Sequence, residues 1–220
     1  MNLYKMFQEN ASYLKAFIRQ MSEVLRLFAE LKLVHSDIKP DNILIHEKPS
    51  SNGDPFTIKM IDFGSAFSMR DVGALAMATP EYMPPEVLRL ISSNKSKLSA
   101  IEELARISPA WAVDTWSLGA ILLEILSGVP VWMSLRSKVE VKGKNFITTG
   151  LFGVKGRCHD KIRTLQKSVV EGLEKSVRKY LTNFKNSEGL LDLLARMLQL
   201  DPKKRISPEE ILKHSYLNED

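Results

Sequence analysis

The chain has 220 residues, of which 44% are hydrophobic, and it carries a formal net charge of +5. This length and hydrophobic content allow one folded domain with a sizeable core and exclude an intrinsically disordered chain. The single cysteine, Cys158, excludes an intramolecular disulfide framework and favours a reducing compartment, so we expect a cytoplasmic or nuclear protein.

The first predicted element is a long amphipathic helix. Its apolar residues recur at helical spacing and are Leu14, Phe17, Ile18, Met21, Leu25, Phe28 and Leu31. We interpret this stripe as core rather than as a cofactor site, because such a face is usually buried. No charged region followed by an apolar run precedes it, so a signal peptide is not expected.

A polar segment at residues 35–42, with the sequence HSDIKPDN, follows this helix directly. Side chains two positions apart in an extended loop point the same way, so Asp37 and Lys39 should share one side, and Pro40 keeps the loop open. A carboxylate can accept a hydroxyl proton, an ammonium can neutralise a phosphate oxygen, and the amide oxygen of Asn42 can ligate Mg²⁺. These are the components of phosphoryl transfer.

A short apolar run at residues 43–45 and a second run at residues 56–60, in which apolar and polar residues alternate, flank a turn-rich segment and predict a β-hairpin. The second run leads into Asp62, Phe63 and Gly64. At the end of such a hairpin, Asp62 could reach the same Mg²⁺ ions as the amide of the preceding loop.

Two helices are predicted beyond residue 96. Ser99 and Glu102 form a capping-box signature for a short helix that ends before Pro109. The stretch 112–133 is strongly apolar but contains charged residues such as Asp114, which predicts a buried helix and no membrane span.

Basic residues dominate between Arg136 and Lys167. Such a patch can dock an acidic partner or nucleic acid. It lacks the interleaved aromatic side chains of a base-stacking surface, so we do not favour nucleic-acid binding and interpret the segment as a solvated loop. Beyond it, residues 187–200 predict a leucine-rich helix, and Ser207, Pro208 and Glu210 predict the capped start of another.

Several of these segments resemble parts of eukaryotic protein kinases of the serine/threonine branch. Residues 35–42 match the catalytic-loop pattern His-Arg-Asp-x-x-x-x-Asn except at Ser36, and residues 62–64 match Asp-Phe-Gly. Residues 79–86 resemble the end of the activation segment, Thr-Pro-Glu-Tyr-x-Ala-Pro-Glu, with Pro84 in place of alanine. The resemblance implies a mainly α fold with a small β-hairpin, similar to the large C-terminal lobe of that family.

The resemblance also implies ATP and Mg²⁺ as cofactors and a protein substrate with a serine or threonine acceptor. Asp37 would orient and deprotonate the acceptor hydroxyl, Lys39 would neutralise the transferring phosphoryl group, and Thr79 would support both side chains. The expected nucleotide-binding residues are Lys39, Asn42, Leu44, which would lie under the adenine, and Asp62; of these, Asn42 and Asp62 are the expected metal ligands.

Other matched residues have structural roles in the family. Asp114 would hold the catalytic loop from beneath, since a buried carboxylate requires hydrogen-bond donors. Arg205 would pair with Glu86, because a planar guanidinium suits a bidentate contact.

Two of the departures from the family pattern bear on activity. No glycine-rich loop, strand lysine or helix glutamate precedes His35, so we expect residues 1–220 to be a C-terminal lobe, truncated and weakly active or inactive alone, with insertions near 91–109 and 134–168. Ser36 stands where most kinases have the arginine that pairs with a phosphorylated activation segment. We therefore predict that activity does not depend on phosphorylation between Ser65 and Thr79.

A different class of function is also compatible with these patterns. The chain could be a non-catalytic, pseudokinase-like interaction module that binds an acidic partner through its helices and the basic segment 136–167. Asp37, Asn42 and Asp62 are all intact, which favours the enzyme. Nucleotide binding discriminates between the two hypotheses.

Overall fold

The computed structural model describes residues 3–47, 49, 53–68, 79–93, 97–128, 136–141, 144–149, 157–181, 184 and 186–219. Helices dominate this part of the chain and strands are few, as predicted. The helices are α1 (Leu3–Glu9), α2 (Ala11–Leu31), α3 (Pro85–Ser92), α4 (Lys97–Ile107), α5 (Ala110–Ser127), α6 (Arg157–Glu171), α7 (Leu173–Leu181), α8 (Ser187–Met197), α9 (Pro208–Leu212) and α10 (Ser215–Asn218).

The strands form three antiparallel pairs. The first pair joins β1 (Leu33–Val34) to β4 (Phe67–Ser68), with Leu33 opposite Ser68 and Val34 opposite Phe67. The predicted hairpin is present as β2 (Ile43–His46) and β3 (Thr57–Met60), with Ile43 opposite Met60. A third pair joins β5 (Arg136–Val141) to β6 (Lys144–Thr149).

Helix α5 is the centre of the core. Fourteen of its eighteen residues are buried, because it is apolar on all sides and other helices cover it. Its length and composition would suffice to cross a membrane, but 78% of that window is buried inside the protein, as in the core helix of a globular fold. Gly119 allows close packing, since a Cβ there would lie 2.9 Å from Cδ2 of Leu198.

Helix α2 leads from the core to the polar segment at residues 35–42. Its stripe is buried from Leu14 to Leu25, as predicted. Leu31 is an exception: it is 71% exposed, so its assignment to the core was wrong. The helix ends at this residue, and Lys32 adopts a left-handed backbone with φ 53° that turns the chain into β1.

Three local predictions differ from the structure. Helix α4 begins at Lys97, so Ser99 lies inside the helix and does not cap it. The basic segment is not a loop within the described residues, because it contains β5, β6 and the first part of α6. Helix α8 ends at Met197, three residues before the predicted end at residue 200.

The predicted start of α9 is confirmed in detail. The side chain of Ser207 accepts a hydrogen bond from the backbone N–H of Glu210, whose carboxylate accepts one from the backbone N–H of Ser207. Pro208 occupies the first turn, where no helical N–H bond is lost.

Candidate active site

The polar segment at residues 35–42 is anchored from beneath by one buried carboxylate. Asp114, near the start of α5, accepts a hydrogen bond from the backbone N–H of His35 at 2.8 Å and from that of Ser36 at 3.0 Å. Burial raises the pKa of Asp114 to about 7, against the opposing effect of these two N–H donors. The start of the segment is therefore attached to the central helix, as predicted.

Three predicted site residues from two distant segments make direct contact. The Lys39 ammonium donates to Oδ2 of Asp37 at 2.7 Å and to Oγ1 of Thr79 at 2.8 Å. The backbone N–H of Thr79 donates to the other oxygen of Asp37, Oδ1, at 2.7 Å. The result is a closed ring of contacts around the carboxylate.

This ring determines the charge of Asp37. Burial of the side chain, which belongs to a residue only 6% exposed, would raise its pKa, but the bonds from Lys39 and Thr79 outweigh burial and hold the pKa below its ordinary value. Asp37 is consequently a carboxylate at neutral pH and can accept a hydrogen bond from a substrate hydroxyl.

Asn42 is oriented by the same segment. Its Nδ2 donates to the backbone oxygen of Asp37 at 2.8 Å and lies 3.2 Å from the Asp37 Oδ2. Because the amide nitrogen is committed to these contacts, the opposite atom, Oδ1, is the one that can serve as a ligand. The backbone oxygen of Asn42 accepts from the N–H of Ile61 at 3.0 Å, which brings the next residue, Asp62, beside the segment.

Asp62 begins a tight turn, the 3-10 helix Phe63–Ser65. Its backbone is left-handed, with φ 60° and ψ 71°, and its side chain accepts from the N–H of Gly64 at 3.3 Å. A left-handed backbone is strained for most residues with a side chain and is tolerated best by Asp and Asn. The residue is exposed, so its carboxylate can reach a ligand from solvent.

Aromatic rings support this turn from the protein side. The ring centroid of Phe63 lies 4.9 Å from that of His35 and 5.8 Å from that of Phe28. His35 Nε2 lies 3.1 Å from the backbone oxygen of Ile61, and burial lowers the pKa of this imidazole. A neutral ring with its proton on Nε2 fits both observations.

The site residues fit a Mg²⁺–nucleotide complex in their chemistry. The Asp62 carboxylate and the Asn42 amide oxygen are hard oxygen donors of the kind that Mg²⁺ prefers, and Mg²⁺ commonly takes its other ligands from phosphate and water. Within the described ranges no group of three or more His, Cys, Asp or Glu residues converges. Leu44 lies on β2, two residues beyond Asn42, and is 49% exposed, which leaves an apolar surface for a flat base.

Some site residues were not identified from the sequence as contributors. His35 and Phe28 position Phe63, yet His35 was noted only as part of a motif and Phe28 only as part of an apolar stripe. Gln20 was missed entirely: it bonds the backbone of Phe56 at 2.8 Å and that of Ile58 at 2.9 Å, and so fixes the hairpin on α2. No periodic signal in the sequence marks such a residue.

A second buried ion pair holds the segment after Thr79. Arg205 donates to both oxygens of Glu86, at 2.8 and 3.1 Å, as predicted. The guanidinium also donates to the backbone oxygen of Ala112 and lies over the Trp116 ring at 5.1 Å. Every partner is supplied, which makes burial of this charge tolerable.

Comparison with known proteins adds independent information. The family model "protein kinase domain" matches residues 2–217. The serine/threonine-protein kinase CG17528 of Drosophila melanogaster is 26% identical over 210 residues, which cover 96% of this chain and 22% of the relative. The mitogen-activated protein kinase HOG1 of Gibberella zeae is 32% identical over 212 residues, covering 94% of this chain and 52% of that protein.

A solved structure agrees at the level of fold. The autoinhibited serine kinase domain of the giant muscle protein titin superposes with a TM-score of 0.61 and 21% identity. The match covers 96% of this chain and 51% of that domain's chain. The chain thus spans between about a fifth and about half of the length of these proteins.

Proposed function

The chain belongs to the protein kinase family, and on that premise we propose that its site transfers the γ-phosphoryl group of ATP, with Mg²⁺, to serine or threonine hydroxyls of proteins. The observation that supports this most is the ring of contacts among Asp37, Lys39 and Thr79, with bonds of 2.7 and 2.8 Å. Relatives named as serine/threonine kinases support the choice of acceptor.

In this proposal Asp37 acts on the acceptor hydroxyl. Its carboxylate accepts a hydrogen bond from the hydroxyl and aims the oxygen at the γ-phosphorus. As the new oxygen–phosphorus bond forms, the bond from that phosphorus to the bridging oxygen breaks, ADP leaves, and Asp37 takes the hydroxyl proton. Because its pKa lies below the ordinary value, Asp37 is a weak base, and orientation is its larger contribution.

Lys39 and Thr79 act together in this scheme. The Lys39 ammonium is held by two oxygens, so it can place a positive charge next to the phosphoryl oxygens without first being ordered. Thr79 supplies one of those oxygens from a segment 40 residues further along the chain. Its role is to fix the distance between the lysine and the carboxylate.

Asn42 and Asp62 would hold Mg²⁺, and Leu44 would contact the base of the nucleotide. When bound, the ion neutralises charge on the phosphate oxygens. The chain's own contribution is to hold the two oxygen donors in place, through the Asn42 amide contacts and the backbone bond from Ile61.

The test is phosphoryl transfer from labelled ATP to matched peptides that differ only in carrying serine, threonine or tyrosine. The purified chain is assayed alone and joined to the small lobe of a protein kinase relative, which supplies the groups that grip the phosphates. We expect Mg²⁺-dependent labelling of serine and threonine, stronger in the joined form and lost in Asp37→Ala.

Asp41→Ala is the matched control, because Asp41 is exposed and lies in the same segment. This variant should keep full activity. No transfer in either form, together with no Mg·ATP-dependent rise in the melting temperature, would contradict the proposal and favour a non-catalytic module that binds an acidic partner.

A further inference from the structure

Ser36 has an unusual backbone for a residue with a side chain. Its φ is 64°, one of four positive values at non-glycine residues in the described part of the chain. This conformation directs the Ser36 N–H to the buried carboxylate of Asp114 at 3.0 Å. The N–H is therefore not available to the neighbouring strand.

The Ser36 hydroxyl makes the contact with the neighbouring strand that the Ser36 N–H does not make. In the β1–β4 pair Val34 lies opposite Phe67, so continuing the antiparallel register by two residues places Ser36 opposite Ser65. The chain leaves the ladder before that point, yet Ser36 Oγ donates to the backbone oxygen of Ser65 at 2.7 Å. One side-chain bond thus extends the pairing beyond the last ladder residue.

With this bond, the turn at Asp62 is fixed at both ends, and we call this pair of attachments the clamp. On one side, Ile61 is tied to the catalytic loop through its N–H to Asn42, at 3.0 Å, and its oxygen lies 3.1 Å from Nε2 of His35. On the other side, Ser65 ends the 3-10 turn for which Asp62 is the N-cap. The two residues that bracket the turn are both tied to residues 35–42.

We propose that Ser36 is a positioning residue that holds the Asp62 turn against the catalytic loop through the Ser65 carbonyl. This inference rests on the proposed function for its effect on catalysis, but not for its effect on the turn itself. Asp62 is exposed and its backbone is left-handed, so the geometry of its carboxylate depends on contacts at the two ends of the turn.

Two substitutions separate the hydroxyl from the backbone strain. Ser36→Ala removes the hydroxyl and leaves the strained φ, whereas Ser36→Gly removes the hydroxyl and relieves the strain. Ser176→Ala is the matched control, because the Ser176 hydroxyl also donates to a backbone oxygen, that of Gly172 at 2.9 Å, but lies on α7.

Amide hydrogen exchange over residues 61–68 is the first measurement, and it requires no enzymatic activity. Losing one hydrogen bond should speed exchange of the Gly64 and Ala66 amides about fivefold in both Ser36 variants. Ser176→Ala should leave these amides unchanged. Unchanged exchange in Ser36→Ala, or normal exchange in Ser36→Gly alone, would overturn the inference.

The kinetic measurement uses the chain joined to a small lobe, as above. Both Ser36 variants should need about fivefold more Mg²⁺ for half-maximal rate and show a lower kcat, with the KM for the peptide unchanged. If only the KM for the peptide rose, Ser36 would affect peptide binding, and a role in positioning Asp62 would be contradicted. If the unsubstituted chain transfers no phosphate but exchange still changes, the proposed function fails and the clamp stands.

Discussion

The candidate site has two halves that are held by different means. The buried half is the segment at residues 35–42, and the surface half is the turn at residues 62–65. Residues 35–42 are attached to the core by one buried side chain, since Asp114 is 1% exposed and accepts two backbone N–H bonds. The turn at Asp62 is at the surface, and Phe63 beside it is 47% exposed. The difference indicates that Asp37 and Lys39, which would act on the hydroxyl and the phosphoryl group in the proposed function, are preorganised, whereas the Asp62 carboxylate relies on a few contacts at the edges of its turn.

The largest expected effect tests the surface half. Asp62→Ala should lower the phosphoryl-transfer rate about a thousandfold, because the proposed carboxylate ligand of Mg²⁺ is lost. The free energy of unfolding should change by less than about 0.5 kcal/mol, as for most exposed substitutions. Rate assays and urea denaturation measure the two quantities.

Asp41→Ala serves again as the comparison for this variant. It removes an exposed carboxylate of the same loop and should leave both rate and stability near those of the unsubstituted chain. A large loss of stability in Asp62→Ala would show that the turn is part of the core, which would remove the contrast between the two halves.

The next effect tests the buried half. Asp114→Asn should lower the free energy of unfolding by about 2 kcal/mol near pH 5. The new amide nitrogen would face a backbone N–H, and because both groups are donors, that hydrogen bond is lost. Chemical denaturation measures this loss. No change in stability would mean that the loop does not depend on this anchor.

The loss should depend on pH in a defined direction. Burial raises the pKa of Asp114 from an ordinary 3.8 to about 7, so between these values the folded state binds the proton more tightly than the unfolded state does. The stability contributed by this group is complete at low pH and falls as pH rises toward 7. The difference in the free energy of unfolding between the unsubstituted chain and Asp114→Asn should therefore become smaller as the pH rises from about 4 to about 7.

A smaller effect is expected at the contact between the loop and the segment after it. Thr79→Val keeps the backbone N–H to Asp37 but removes the oxygen that accepts from Lys39 at 2.8 Å. The rate should fall about tenfold, and Thr79→Ser should restore most of it. The Asp37 pKa should also rise toward its ordinary value, since the Thr79 side chain helps to lower it.

A rate profile over acidic pH checks that shift. The depressed pKa keeps Asp37 charged until the pH falls below the ordinary value, so the acid limb of the profile should lie at higher pH in Thr79→Val than in the unsubstituted chain. An unmoved limb with a reduced rate would mean that Thr79 acts on Lys39 alone.

The smallest expected effect concerns phosphorylation. Phosphatase treatment of the active protein should change the rate by less than about twofold, because Ser36 offers no guanidinium to pair with a phosphate. Its hydroxyl already donates to Ser65. A large loss that maps to Ser65, Ser68 or Thr79 would contradict this and would indicate that the surface half requires a modification to become ordered.

Patterns close together in the chain were predictable. Residues 35–42, the hairpin after them and the capped start of α9 follow from local rules on turns, alternation and capping, which act over a few residues. The features that differed from the prediction depend on which other elements pack against a residue. Leu31 satisfies the helical period, yet it lies in the last turn of α2, where the chain leaves the core.

The sequence alone determined which chemical groups are available and roughly which elements carry them, since spacing and residue type are local properties. The family resemblance placed Thr79 beside Asp37 and Lys39, but only the tertiary structure decided which atoms close that ring and that Ser36 reaches Ser65, because these contacts span 42 and 29 residues along the chain. Their distances depend on how α2 and α5 pack. A difference of one ångström there is invisible in the order of residues, but it determines whether a hydrogen bond forms.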